Sequence, residues 1–239
     1  MLRSAEKLLQ QLISSNPITQ FYELLSYCYY SLGKILIGSN ENKDSEELYR
    51  KGLDILLKLY DDIPNDNYLR DAAPFYYGLS SFYVEKDPDQ SLEYALKAFE
   101  LDLNYAKAHE SPENWRQCII DLSYLGNFYH LVEENDELAI ECYENALTIS
   151  KDLISRVNSP YIFDVHITLL EDLSDIYVDM EEYDKAIFYC QSRLDAIRQV
   201  MQISKSPTHA RSFYSTNYQL SQIYIKTIQQ TQSNVCLMV

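Results

Sequence analysis

The side chains with the widest chemical reach are four histidines, His109, His130, His166 and His209, and five cysteines at positions 28, 118, 142, 190 and 236. A zinc site needs three or four such ligands at short, regular spacing. No HExxH phrase occurs, and no two cysteines stand at CxxC spacing. His130 comes nearest, because Glu133 and Glu134 follow at helical spacing, but it reads as a surface histidine at a helix end. Glu171, Asp172 and Asp175 crowd one stretch. Paired carboxylates can exchange protons with a substrate, yet no nucleophile lies beside a base at readable spacing, so these acids read as a polar helix face. GxSxG, GxGxxG and P-loop phrases are absent from the sequence, which removes the commonest acyl- and phosphoryl-transfer sites. We expect no catalysis, no metal and no cofactor.

Composition narrows the remaining functions. The formal charge of -16 repels phosphate backbones and acidic membrane surfaces, so nucleic acid is excluded as an expected partner. Apolar residues make up 46% of the 239 positions, enough to bury a core in one domain. Scattered cysteines read as reduced thiols of a cytoplasmic protein. The last four residues, Cys236-Leu237-Met238-Val239, fit C-a-a-X, although valine is not among the usual final residues and no polybasic patch precedes them. A membrane is therefore expected as a partner only if Cys236 is prenylated.

The elements that must position any site follow from a repeat. Leu-small-x-x-apolar occurs at Leu32-Gly33, Leu79-Ser80, Leu125-Gly126, Leu173-Ser174 and Leu220-Ser221, with spacings of 47, 46, 48 and 47. Pro17, Pro64, Pro112, Pro160 and Pro207 precede those leucines by 13 or 15 residues. Proline suits the first turn of a helix and not its interior, so each phrase lies within a helix A that begins after its proline. Pro74 breaks the pattern and predicts that the second helix A starts late, near Asp71. A second phrase, small-x3-aromatic-x2-small, follows at Ser45/Tyr49/Gly52 and Ala139/Tyr143/Ala146, with weaker copies at Ser91/Ala95/Ala98 and Ala186/Cys190/Arg193. These spacings mark one face of a helix B. Acidic turns between A and B read as helix caps. The small residues of A are expected to meet those of B.

This pattern resembles the tetratricopeptide repeat, whose phrase is W-x2-L-G-x2-Y, then A-x3-F. Leu122, Leu125, Gly126, Tyr129, Ala139, Tyr143 and Ala146 carry the match in the third unit. The leading Trp is replaced, and the period exceeds the usual 34 residues, so the long-helix repeats of kinesin light chains are the most similar. The reading is all-α: an α-solenoid of antiparallel helix pairs with about 10 helices, and the resemblance implies a right-handed superhelix. One repeat domain is expected over 1–239: a leading helix at 1–16, repeats at 17–63, 64–111, 112–159 and 160–206, and a terminal half-repeat with a tail at 207–239. The last helix is expected to stop around Gln230.

The resemblance implies a protein-binding scaffold or adaptor that holds a peptide or helix of another protein in a concave groove lined by helix A. The groove positions are Tyr27, Tyr30 and Lys34 in the first unit and Tyr77 and Ser81 in the second. Ser123, Asn127 and His130 follow in the third, Glu171 and Asp175 in the fourth, and Tyr218 and Gln222 in the fifth. The lining is aromatic at the N-terminal end and acidic at the other, so a segment with an apolar and a basic end is complementary. Acidic chaperone tails are disfavoured by Glu171 and Asp175. The alternative is a structural subunit that uses the array for oligomerisation.

Overall fold

The computed structural model describes residues 2–37 and 42–237. It holds ten helices among them: α1 (Leu2–Ser15), α2 (Thr19–Leu36), α3 (Asn42–Asp62), α4 (Asp66–Tyr83), α5 (Pro88–Ala108), α6 (Pro112–Leu131), α7 (Asp136–Arg156), α8 (Pro160–Asp179), α9 (Tyr183–Ile203) and α10 (Pro207–Leu237). No strand occurs among the described residues. The chain forms two compact units, Met1–Asp121 and Leu122–Val239, and the boundary falls within α6.

The A helices α2, α4, α6, α8 and α10 begin at or two residues after the five periodic prolines. Each B helix, α3, α5, α7 and α9, is 21 residues long. The Asp87 side chain accepts a bond from Gln90 N–H to cap α5, and Asn135 accepts from Leu138 N–H to cap α7. Glu182 occupies the same place before α9 without a capping bond. Glu134 and Glu181 enter the left-handed region at φ 51° and 59° to turn the chain between A and B.

In the first unit, Leu9 of α1 packs against Leu25, Cys28 and Tyr29 of α2, while Leu8 faces solvent. Tyr49, Leu53, Leu56 and Leu59 of α3 then meet Tyr68, Ala72, Phe75 and Leu79 of α4. In the second unit, Leu169, Leu170, Leu173 and Ile176 of α8, Ile197 and Val200 of α9, and Ile223 of α10 are almost wholly buried. Each such side chain contributes roughly 2 kcal/mol relative to its exposed state.

Two expectations are corrected. First, α4 starts at Asp66, not near Asp71, and carries Pro74 in its interior. The Asn65 side chain caps it by accepting from Asn67 N–H. An interior proline costs about 3 kcal/mol, but Tyr68 and Ala72 before it and Phe75 and Leu79 after it are all buried, and their combined burial outweighs that cost. Second, α10 runs past Gln230 to Leu237. Small residues of A meet those of B at Ser80 and Ser91, with hydroxyls 3.0 Å apart, and at Ser174, which reaches the Ala186 carbonyl at 3.4 Å and Cys190 at 3.0 Å. Gly33 and Gly126 receive the rings of Tyr49 and Tyr143. The volumes are complementary in both cases: serine faces serine or cysteine, and glycine faces tyrosine.

Candidate functional site

Tyr30, Asp71 and Pro74 bring α2 and α4 together around two adjoining hollows of the first unit. One, of about 330 Å³, is walled by Glu23, Ser26, Tyr27, Leu56 and Phe75 besides those three. The other, of about 420 Å³, is continued by Tyr77 of α4, Asp102 and Tyr105 of α5, and Glu113, Asn114 and Gln117 of α6. Pro74, the residue that disobeys the repeat, therefore lies where the two hollows meet. Tyr27 is 66% exposed, whereas Tyr30 and Tyr77 are half-buried. The Tyr30 ring is fixed edge-on to Phe75, 5.4 Å between centroids. Lys34 and Ser81 are exposed but line neither hollow.

Polar groups set the character of the larger hollow. The Arg70 guanidinium donates to Asp71 at 2.7 Å and to the Tyr105 hydroxyl at 3.3 Å. Asp102 of α5 meets Asp121 of α6, and Gln117 Nε2 donates to Asp121 Oδ1 at 2.8 Å. Asp121 is 1% exposed, and the Tyr77 hydroxyl is a further hydrogen-bond partner of its carboxyl. Burial raises the pKa of both carboxyls, and the neighbouring Asp102 charge raises that of Asp121 further. A proton held between them supplies the donor that two carboxylates lack. Asp71, Asp102 and Glu113 line this hollow, with Arg70 its one cation among the described residues.

In the second unit the predicted groove residues are tied to neighbouring helices. Asn127 Oδ1 accepts from the Tyr143 hydroxyl at 2.9 Å, and Ser123 donates to Asp172 at 3.3 Å. Glu171 pairs with Arg193 of α9 at 2.5 Å, and Asp175 accepts from Gln219 of α10 at 2.5 Å. His130 bonds Asp136 at 2.7 Å and approaches Asp179 at 3.8 Å, so its partners are not Glu133 or Glu134. Burial lifts the Asp172 carboxyl to about 6, helped by the charges of Glu171 and Asp175. Burial also raises Asp175. Tyr218 is largely exposed and Gln222 is exposed. The face is acidic, and Arg193 is the cation that holds it together.

Other titratable groups are structural. His166 is buried against the Ser150 hydroxyl at 2.8 Å, and burial pushes its pKa down to about 4. His209 bonds Asp164 at 2.9 Å, and His109 lies 3.5 Å from Asp66. Cys28, Cys118, Cys142 and Cys190 are free thiols. No group of three or more metal-ligating side chains occurs among the described residues, and no helix among them is long and apolar enough to cross a membrane. The Cys236 side chain and the two residues that end the chain lie outside the described residues.

Residue patterns alone missed Asp102, Asp121 and Arg193. Asp121 stands inside the apolar run Cys118-Ile119-Ile120-Asp121-Leu122, and Arg193 stands where the other B helices carry Gly52, Ala98 and Ala146. An acid within a core run and a cation at a small-residue place were the available signals.

No family model matches the sequence, and no curated protein matches it significantly. Among solved structures, the fold is similar to that of BtubC (BKLC) from P. vanneervenii, with a TM-score of 0.60 and 12% identity over 95% of this chain and 89% of that one. A STAND signal-transduction ATPase with a tetratricopeptide repeat sensor, from Pyrococcus horikoshii, aligns with a TM-score of 0.42 and 15% identity over 97% of this chain and 40% of that one. Yeast Tom70 aligns with a TM-score of 0.24 and 16% identity over 96% and 59%. The ten helices, their alternation of long A and B elements and the likeness to BtubC identify the fold as an all-α, tetratricopeptide-like helical repeat.

Proposed function

We propose that the chain is a protein-binding scaffold whose first unit holds an extended segment of a partner protein in the double hollow along α2, α4 and α6. The observation that carries this reading is the junction of an aromatic and an acidic compartment at Tyr30 and Pro74. An apolar or aromatic side chain of the ligand fits between Tyr27, Tyr30 and Phe75. A lysine or arginine a few residues away meets Asp71, Glu113 and Asp102. Asn114 and Gln117 offer amides to an extended backbone. Pairing of opposite charges and a fixed aromatic wall select the ligand. The acidic face of Glu171, Asp172 and Asp175 supplies the second unit with its own affinity for basic segments.

Selection from a displayed library of random short peptides tests the reading. Peptides retained by the wild-type chain should combine an aromatic or aliphatic residue with a nearby Lys or Arg. They should bind about tenfold or more weakly to a Tyr27→Ala/Glu113→Gln variant of equal helicity. Selection of acidic peptides, or equal binding to the variant, contradicts the groove assignment.

A further inference from the structure

The floor of the larger hollow is built in two layers. Tyr77 of α4, Asp102 of α5 and Gln117 of α6 line it. All three bond the carboxyl of Asp121, which lies behind them and is not part of the lining. Gln117 Nε2 donates to Asp121 Oδ1 at 2.8 Å, and the Tyr77 hydroxyl and the Asp102 carboxyl are the further partners. Asp121 is fully buried and Asp102 is 7% exposed. Asp102 is thus the member of the pair within reach of an occupant, and Asp121 is reached only through it.

The cation nearest the pair is already engaged. Arg70 donates to Asp71 at 2.9 and 2.7 Å and to the Tyr105 hydroxyl at 3.3 Å. Burial raises the pKa of Asp102 in spite of the Asp121 hydrogen bond and the Arg70 charge. Burial and then the Asp102 charge raise that of Asp121. The pair therefore keeps one proton at neutral pH, where two exposed carboxyls keep none. Arg70 stays a cation throughout. Burial pushes the Cys118 thiol beside the pair up to about 12, against the charge of Lys107 on α5. Neither Arg70 nor Cys118 exchanges a proton in the range where the pair does. A basic group set against Asp102 would balance the second carboxylate charge as the proton now does, and the hollow, of about 420 Å³, has room for one.

We propose that a lysine or arginine side chain of the bound segment takes the place of the proton shared by Asp102 and Asp121, so that filling the hollow releases one proton and basic segments bind more tightly as the pH rises. The inference rests on the segment-binding reading of the hollow and adds its regulation. The balance is simple. A singly protonated pair of charge -1 and a ligand cation become a doubly ionised pair with the cation beside it, and one proton goes to solvent. Asp71 and Glu113 attract the ligand independently of this exchange.

The probe is the tightest basic peptide obtained from the displayed library, synthesised with acetylated and amidated ends, beside the same peptide with norleucine in place of its basic residue. Calorimetric titration of the full chain is run at about pH 6.5 and about pH 8, and near pH 7 in phosphate and in Tris, whose different ionisation heats count the protons released. Affinity for the basic peptide should rise about tenfold between the two pH values, and close to one proton should leave at neutral pH. The norleucine peptide should bind with no proton release. Asp121→Asn supplies an amide that donates to Asp102 as the protonated carboxyl does. It should match the wild type at the lower pH and gain nothing at the higher one, whereas a purely structural role for Asp121 would change both affinities alike. Equal affinity of the wild type for the basic peptide at both pH values overturns the proposal and leaves the groove reading standing. A slope that persists in Asp121→Asn also overturns it. If that slope then disappears in His109→Gln, the proton belongs to His109, whose ring lies 4.4 Å from that of Tyr105. A library that yields no basic peptide overturns the groove reading and the proposal together.

Discussion

Gly126 of α6 lies so close to Tyr143 of α7 that an added β-carbon would stand 2.5 Å from the ring carbon Cε1. Gly126→Ala should destabilise the chain by about 1–3 kcal/mol, the usual cost of overpacking a filled core. Tyr143→Cys in the same chain makes room and reproduces the Ser174–Cys190 arrangement of the next unit. Thermal unfolding of the two single variants and the double variant should show strong non-additivity. Additive losses would mean that the glycine is not there for the tyrosine.

The Asp102–Asp121 pair makes stability depend on pH in a defined direction. A carboxyl whose pKa is raised by folding stabilises the fold fully below the unfolded value, near 3.9. That contribution is lost as pH rises toward the folded value, because the buried group must then ionise. Stability should therefore fall between about pH 4 and pH 8, where the raised Asp121 titrates. Asp121→Asn keeps the Gln117 contact and cannot ionise. It should raise the melting temperature at pH 8 by about 2–4 °C per kcal/mol recovered and flatten the slope. An unchanged pH profile contradicts the shared proton.

Arg193 is 3% exposed and bridges α8 and α10 through Glu171 and Gln219. Arg193→Ala should cost about 3 kcal/mol, since it leaves half-buried acids without their cation. Arg193→Lys should recover little, because one ammonium cannot serve both partners with the guanidinium's fixed geometry. Adding Glu171→Gln to Arg193→Ala should restore part of the loss. Chemical denaturation of the three variants checks this, and full recovery by lysine would contradict the bridging role.

Glu134 and Glu181 hold left-handed backbone at equivalent places in two A–B turns. Glycine adopts this conformation without a clash between its β-carbon and carbonyl oxygen. Glu134→Gly and Glu181→Gly should each stabilise the chain by about 0.5–1 kcal/mol, read as a rise in melting temperature. A fall would show that the glutamate side chains contribute more than the backbone strain costs.

Much of the fold was legible in residue order. A phrase of period 47 and its prolines predicted the starts of the A helices, and small-x3-aromatic located the B helices. The Gly33/Tyr49 and Gly126/Tyr143 pairs were also present as residues, but their contact was not, because volume complementarity acts between helices. Pro74 misled for the same reason: its local cost is readable, while the buried Tyr68, Ala72, Phe75 and Leu79 that outweigh it become neighbours only in the fold. The candidate site was less legible still. Tyr27, Tyr30 and Tyr77 followed from helix phase, but Asp102 and Asp121 lie 19 residues apart on different helices and meet only through packing.

The most direct test of the scaffold reading is site-specific photo-crosslinking in cells, with benzoylphenylalanine placed in turn at Tyr27, Tyr77 and Tyr161. Tyr27 and Tyr77 line the hollows of the first unit, and Tyr161 is a 70% exposed tyrosine that lines neither. The account predicts discrete crosslinked partner bands from positions 27 and 77, competed away by a library-selected basic peptide, and none from 161. Bands of equal strength from position 161, or none from 27 and 77, would contradict it.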